Sequence, residues 1–254
     1  MILAINIENT NTVVGGIVDS KFVFVESLST SFTRTELEYA ISFKSIFEFY
    51  QMDVDCVEGA VISSVVPPVT NIVKSAVKRI FKKEALVIGP GVKTGLNIMT
   101  DNPAQVGSDM VATAVAGISK YKLPMIVVNM ETATTLSVIN EKKQYLGGMI
   151  IPGIKASSES LSNGAAQLPK VGLEKPRKVI GTNTIDCMKS GLIYGTAAMI
   201  DGAITKIEKE LGNNAATIVA TGGNVKYILP YCERKMYLDE TLLLDGLRLI
   251  YERN

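Results

Sequence analysis

Ile2-Leu3-Ala4-Ile5-Asn6-Ile7-Glu8-Asn9-Thr10-Asn11-Thr12 recurs as Met125-Ile126-Val127-Val128-Asn129-Met130-Glu131-Thr132-Ala133-Thr134-Thr135, with Asn6, Glu8 and Thr12 matched by Asn129, Glu131 and Thr135. Each copy is an apolar run short enough for a buried strand, followed at once by small hydroxyl and amide residues that favour a tight turn. Alternate strand residues share a face, so Asn6 and Glu8 point one way, as do Asn129 and Glu131. The chain therefore reads as two copies of one α/β unit. Two such turns facing each other across a cleft would present paired polar side chains and backbone N–H groups to one ligand.

A chain of 254 residues is long enough for a substantial core, and the duplication favours two similar lobes. A net charge of +1 gives no electrostatic reason to expect nucleic acid or an anionic membrane as the main partner. No secretory leader or membrane-spanning run is legible, so a cytoplasmic protein is expected. Cys56, Cys187 and Cys232 are odd in number and widely spaced, which suggests reduced, buried thiols. The absence of His removes imidazole acid–base chemistry and the usual zinc sites, leaving proton transfer to a carboxylate, Lys, Tyr or Cys.

Val13–Val18 and Phe22–Ser27 read as strands about Asp19-Ser20. Thr33 or Thr35 can cap the next helix, with Glu36 or Glu38 completing a capping box and Leu37, Ile41, Ile46 and Phe49 lining one side. Gly59–Val66 is a strand stopped by Pro67-Pro68. The basic stretch Lys78–Lys83 suits either phosphates or a solvated helix end that complements the macrodipole. Pro103 opens a helical turn and Ser108 caps the helix that follows, where Asp109 is explained by the helix dipole as readily as by catalysis. A helix over 184–211 carries Gly191, Gly195 and Gly202, a spacing that implies close packing on the sheet or on a second subunit.

Further motifs are Ser63-Ser64-Val65-Val66-Pro67-Pro68, Gly89-Pro90-Gly91-Val92-Lys93-Thr94-Gly95-Leu96, Asp101-Asn102-Pro103, Val106-Gly107-Ser108-Asp109, Gly147-Gly148 with Pro152-Gly153, Thr221-Gly222-Gly223 and Leu244-Asp245-Gly246-Leu247. In this order they resemble the type III pantothenate kinases. That family lies in the acetate kinase, sugar kinase, Hsp70 and actin superfamily, whose duplicated RNase H-like lobes have mixed five-stranded sheets with flanking helices. The resemblance implies lobes over 1–118 and 119–254, with the last helix returning to the first. It implies transfer of the ATP γ-phosphoryl to pantothenate on the route to coenzyme A. Asp109 would be the general base, with Thr100, Gly107, Ser108, Asp109, Met110 and Thr184 around pantothenate. Asn6, Glu8, Asn9, Thr10, Asn11, Thr12, Thr132 and Gly222 would surround ATP. Positions 6 and 129 would hold Mg²⁺ and a monovalent cation, K⁺ or ammonium, and the protein would be a homodimer.

The family pattern is Asp-x-Gly-Asn-Thr in the first turn and Asp-x-Gly-Thr-Ala in the second; here they read Asn6-Ile7-Glu8-Asn9-Thr10 and Asn129-Met130-Glu131-Thr132-Ala133. An amide coordinates through its carbonyl but brings no charge to a hard cation. A carboxylate where glycine lets phosphate reach the backbone is costlier. Unit charges about 4 Å apart at an effective dielectric near 20 repel by roughly 4 kcal/mol, about a thousandfold in affinity. Thr100 stands where the family has Tyr, and Met110 where it has Arg, which removes a planar donor fork. Three readings follow: a paralogue with decayed binding, a kinase whose Glu8 and Glu131 ligand a shifted cation, and a non-catalytic binding or regulatory subunit.

Overall fold

The computed structural model describes residues 1–212 and 215–254. In chain order the elements up to the middle are β1 (Ile2–Ile7), β2 (Asn11–Val18), β3 (Lys21–Ser29), α1 (Glu36–Phe49), β4 (Gly59–Ser64), α2 (Pro67–Phe81), β5 (Ala85–Val87), β6 (Asn97–Ile98) and α3 (Ser108–Lys120). There follow β7 (Met125–Met130), β8 (Ala133–Ile139), β9 (Gln144–Pro152), α4 (Ile154–Gly164), α5 (Thr184–Ser190), α6 (Thr196–Glu210), β10 (Thr217–Thr221), α7 (Val225–Ile228), β11 (Tyr237–Leu238) and α8 (Leu242–Tyr251). The chain divides into two units, one of residues 1–96, 101–119 and 241–254, the other of 97–100 and 120–240.

The first unit holds a five-stranded sheet in the order β3-β2-β1-β4-β5, with β1 antiparallel to β2 and parallel to β4. The second repeats that order as β9-β8-β7-β10-β11 and adds the two-residue β6 beside β9. The duplication is therefore structural, and β6 makes the second sheet six-stranded where five strands were expected. The apolar runs that open each copy form β1 and β7, buried on both faces as central strands beside a parallel neighbour should be. β3 instead alternates between exposed and half-buried residues, with Phe24 alone buried among its nine, as an edge strand does.

Leu3, Ile5 and Ile7 face a cluster with Tyr39, Phe43, Phe47 and Phe81, where the Phe47 and Phe81 rings lie 5.0 Å apart. Each such buried apolar side chain contributes about 1.5–3 kcal/mol, so α1 and α2 are fixed on this face. α8 packs on β1 and β4. In the second unit Ile126, Val128 and Met130 join Ile154, Ile193, Ile200 and Ile204. Thr35 caps α1 and Glu38 returns the bond, so the expected capping box forms at the second of the two candidate sites.

Four expectations are corrected. The inner stripe of α1 is Tyr39, Ala40, Phe43, Ile46 and Phe47, while Leu37, Ile41 and Phe49 are exposed; the aromatic stripe fills more space against α2. Cys56 and Cys187 are exposed and Cys232 is half-buried, because none lies on an inner strand or helix face. Residues 184–210 run on as the expected helix, α5 and α6 joined through a π-helical turn at Gly191–Gly195, but a Cβ on Gly191, Gly195 or Gly202 would meet nothing within 4 Å, so these glycines do not pack on the sheet. Ser108 does not cap α3; its hydroxyl is drawn to β4. No helix among the described residues is long and apolar enough to cross a membrane.

Candidate active site

In the first unit the polar residues gather where parallel β1 and β4 end. Register places Asn6 opposite Ser63 and Ile7 opposite Ser64. Carboxyl ends of parallel strands are the usual place for ligands in open α/β sheets, because the following turns leave backbone groups free there. The turn after β1 is closed by Glu8 N–H donating to the Asn11 carbonyl at 2.9 Å. Asn6 is buried, and its Nδ2 donates to Glu8 Oε1 at 2.8 Å, so the amide and the carboxylate two residues on hold each other. Asn9 and Thr10 face solvent and Asn11 is half-buried. Thr12 is buried, its hydroxyl 2.8 Å from that of Thr30.

α3 is joined to this edge through Ser108. Its Oγ shares a 2.9 Å hydrogen bond with the fully buried Ser63 hydroxyl and accepts from Ser64 N–H at 3.1 Å. Ser64 Oγ in turn accepts from Thr70 Oγ1 at 2.7 Å and from Val66 N–H at 3.0 Å. The start of α3, and with it Asp109, is pinned to the β4 terminus. Gly107 makes room for that carboxylate, since a Cβ there would lie 2.4 Å from Asp109 Oδ1. Burial raises the Asp109 pKa above its ordinary 3.8, offset in part by backbone N–H groups of Met110 and of Asp109 itself. A carboxylate with a raised pKa is the kind of group that serves as a proton acceptor. Ser63 and Ser64 were not among the sequence-derived site residues, because only strand register sets them beside Asn6.

In the second unit the equivalent edge joins β7 and β10, with Asn129 opposite Thr221. Gly222 has φ +101°, and a Cβ there would lie 2.6 Å from Asn129 Oδ1. Only glycine suits both demands. Glu131 Oε1 accepts from Gly223 N–H, and the Glu131 carbonyl accepts from Asn224 Nδ2 at 3.1 Å. Thr132 is exposed, its carbonyl accepting from Gly153 N–H at 3.1 Å. Thr100 carries a buried hydroxyl oxygen that has no hydrogen-bond partner among the described residues. Met110 is half-buried, and Thr184 is exposed in the first turn of α5, behind the cap Asn183.

Within the first unit the structure thus brings Asn6 and Glu8 to one sheet edge with Ser108 and Asp109. Within the second it brings Asn129 and Glu131 to one edge with Gly222. Among the described residues no group of three or more His, Cys, Asp or Glu side chains could hold a metal ion. What each turn offers is an amide with the carboxylate two residues on, with Asp109 beside them in the first unit, a donor set that would suit a Mg²⁺ arriving on ligand phosphates better than a cage made by protein alone.

A profile described as type III pantothenate kinase matches residues 2–206. The type III pantothenate kinase of Halalkalibacterium halodurans is 44% identical over 254 residues, covering all of both chains. Among solved structures, a Campylobacter jejuni protein described as a conserved Baf family transcriptional activator superposes with TM-score 0.61 at 18% identity, over 99% of this chain and 98% of that one. ROK hexokinase from Thermus thermophilus superposes with TM-score 0.53 at 10% identity, over 99% and 98%. These likenesses give the fold, a duplicated RNase H-like architecture of the actin and sugar kinase type. With its two repeated strand–turn edges and a relative of that identity over its whole length, the chain belongs to the type III pantothenate kinase family.

Proposed function

We propose that this chain performs the family reaction, phosphorylation of pantothenate by ATP, with weakened hold on phosphate and cation. The observation that carries this is Asp109, its pKa raised by burial and its helix start locked by Ser108 to the β4 terminus beside Asn6. In the step, the primary alcohol oxygen of pantothenate bonds to the γ-phosphorus as the bond from that phosphorus to the bridging oxygen of ADP breaks. Asp109 takes the alcohol proton. Gly107, Ser108, Met110, Thr100 and Thr184 are the residues we place around pantothenate, and Asn6 to Thr12, Thr132 and Gly222 around ATP.

Mg²⁺, when bound, would neutralise charge on the transferring phosphoryl, and Glu8 with the Asn6 carbonyl would hold it. Asn129 is the residue we assign to the monovalent cation. A cavity of about 490 Å³ lined by Lys155, Ser158, Lys170, Leu173 and Tyr227 lies in the same unit as Gly222 and suits the nucleoside part of ATP. The exposed Gly191, Gly195 and Gly202 suit close approach by a second copy, as a homodimer needs.

The test is pantothenate-dependent ADP release with Mg²⁺ and K⁺ present, in the parent and in the double variant Asn6→Asp/Glu8→Gly. Turnover in the parent that rises in the double variant supports the reading. No turnover in either sinks it. One observation favours a second reading, a non-catalytic binding or regulatory subunit: Glu131 already sits on the Gly223 amide. Absence of ATP binding by calorimetry would favour that reading.

A further inference from the structure

The turn at Gly222-Gly223 presents a backbone donor that has no need of a protein partner. Gly223 is exposed, so water alone would satisfy its N–H. Glu131 Oε1 is nevertheless seated on it. The main chain that carries this carboxylate is held from several sides. Glu131 N–H donates to the Ala133 carbonyl at 3.0 Å, Asn224 Nδ2 donates to the Glu131 carbonyl at 3.1 Å, and Asn224 N–H donates to the Met130 carbonyl at 3.0 Å. The first copy is arranged differently, with Glu8 on the side-chain amide of Asn6 at 2.8 Å. The same residue type has thus met a side-chain amide in the first unit and a main-chain N–H in the second.

We infer that Glu131 is a specificity-determining residue acting as a built-in anion: its carboxylate fills the Gly223 donor that a ligand phosphate would use, and the turn thereby discriminates against polyphosphate ligands. The inference rests on the reading above that this turn is a phosphate subsite. An incoming phosphate must displace a carboxylate tethered in place and then stand beside its charge, whereas a neutral or absent side chain leaves the donor free. Removing the carboxylate should therefore raise affinity by about tenfold or more, the scale of one charge-assisted hydrogen bond.

The experiment compares the parent with Glu131→Gly and the near-isosteric Glu131→Gln, using calorimetric titration with inorganic pyrophosphate and the ¹⁵N–¹H signal of Gly223. The expected result is at least about tenfold tighter pyrophosphate binding by Glu131→Gly and a smaller gain by Glu131→Gln. The Gly223 signal should move in both variants and move again when pyrophosphate is added. Should Glu131→Gly fail to fold, the Glu131→Gln pair of readouts decides alone. Equal affinity in parent and variants, or a Gly223 signal indifferent to Glu131→Gln, overturns the inference. If Glu131→Gly gains pyrophosphate with the Gly223 shift yet no variant phosphorylates pantothenate, the kinase reading falls and the anion reading stands. If the parent turns over pantothenate with the same KM for ATP as Glu131→Gly, the anion reading falls and the kinase reading stands.

Discussion

Gly246 of α8 lies against Ala112 of α3, so close that a Cβ on Gly246 would stand 1.9 Å from the Ala112 carbonyl oxygen. Both residues are buried, and the backbone of neither helix can give way cheaply. Alanine would gain at most about 1 kcal/mol of helix propensity, while overpacking costs about 1–3 kcal/mol and more where backbone must move. Gly246→Ala is expected to lower the urea midpoint with an unchanged slope. An unchanged midpoint would show that α8 can shift freely.

Ser108→Ala removes the acceptor of Ser64 N–H and the partner of the fully buried Ser63 hydroxyl. Leaving these groups short of a partner should cost about 1–3 kcal/mol in thermal or denaturant unfolding. Because Ser108 carries the start of α3, turnover should fall as well, more than for an alanine at the exposed Ser45 of α1. Equal stability of Ser108→Ala and the parent would remove the pinning role.

The raised pKa of Asp109 fixes the sign of two pH effects. The folded state binds this proton more tightly than the unfolded chain, so the contribution is favourable below 3.8 and is lost as pH rises through the folded value. Asp109→Asn should therefore gain stability over the parent as pH is raised from 4 to 8, and match it most closely at the acid end, as read by denaturant midpoints. In the proposed reaction the acid limb of kcat/KM should fall at a pH above the ordinary 3.8, and Asp109→Asn should lose about 10²–10⁴-fold in rate. An acid limb at or below the ordinary value would remove Asp109 as base.

Thiol chemistry separates the three cysteines. Cys56 and Cys187 are exposed, whereas burial, helped by the charge of Asp201, pushes the Cys232 thiol up to about 12. The thiolate is the reactive form, so at pH 8 a disulfide reagent should titrate two thiols quickly and the third only after denaturation. Three thiols reacting at one rate would contradict this placement.

The local readings that held are those whose physics is confined to a few residues. The capping box needs only Thr35 and Glu38, and the turn at Asp19-Ser20, both at positive φ, needs only its two residues and the strands that flank them. The apolar repeat alone indicated two central strands. The inner face of α1 was misread because that helix carries two apolar stripes, and only α2 decides between them. At the site, Asn6 with Glu8 was legible as one strand face, while Ser63 and Ser64 were hidden until β1 and β4 were paired.

By itself the sequence determined that one strand–turn unit occurs twice and that both copies carry an amide at the family's Asp position and a carboxylate at its Gly position, since alternation along a strand and identity at a position are properties of the chain. Only the tertiary structure decided which partner each group obtained. Glu8 found an amide two residues away, Glu131 found a backbone donor 92 residues on, and Ser108 left its own helix for a strand 45 residues back. A hydrogen bond depends on distances of about 3 Å, and such distances between remote residues exist only once the sheets are assembled.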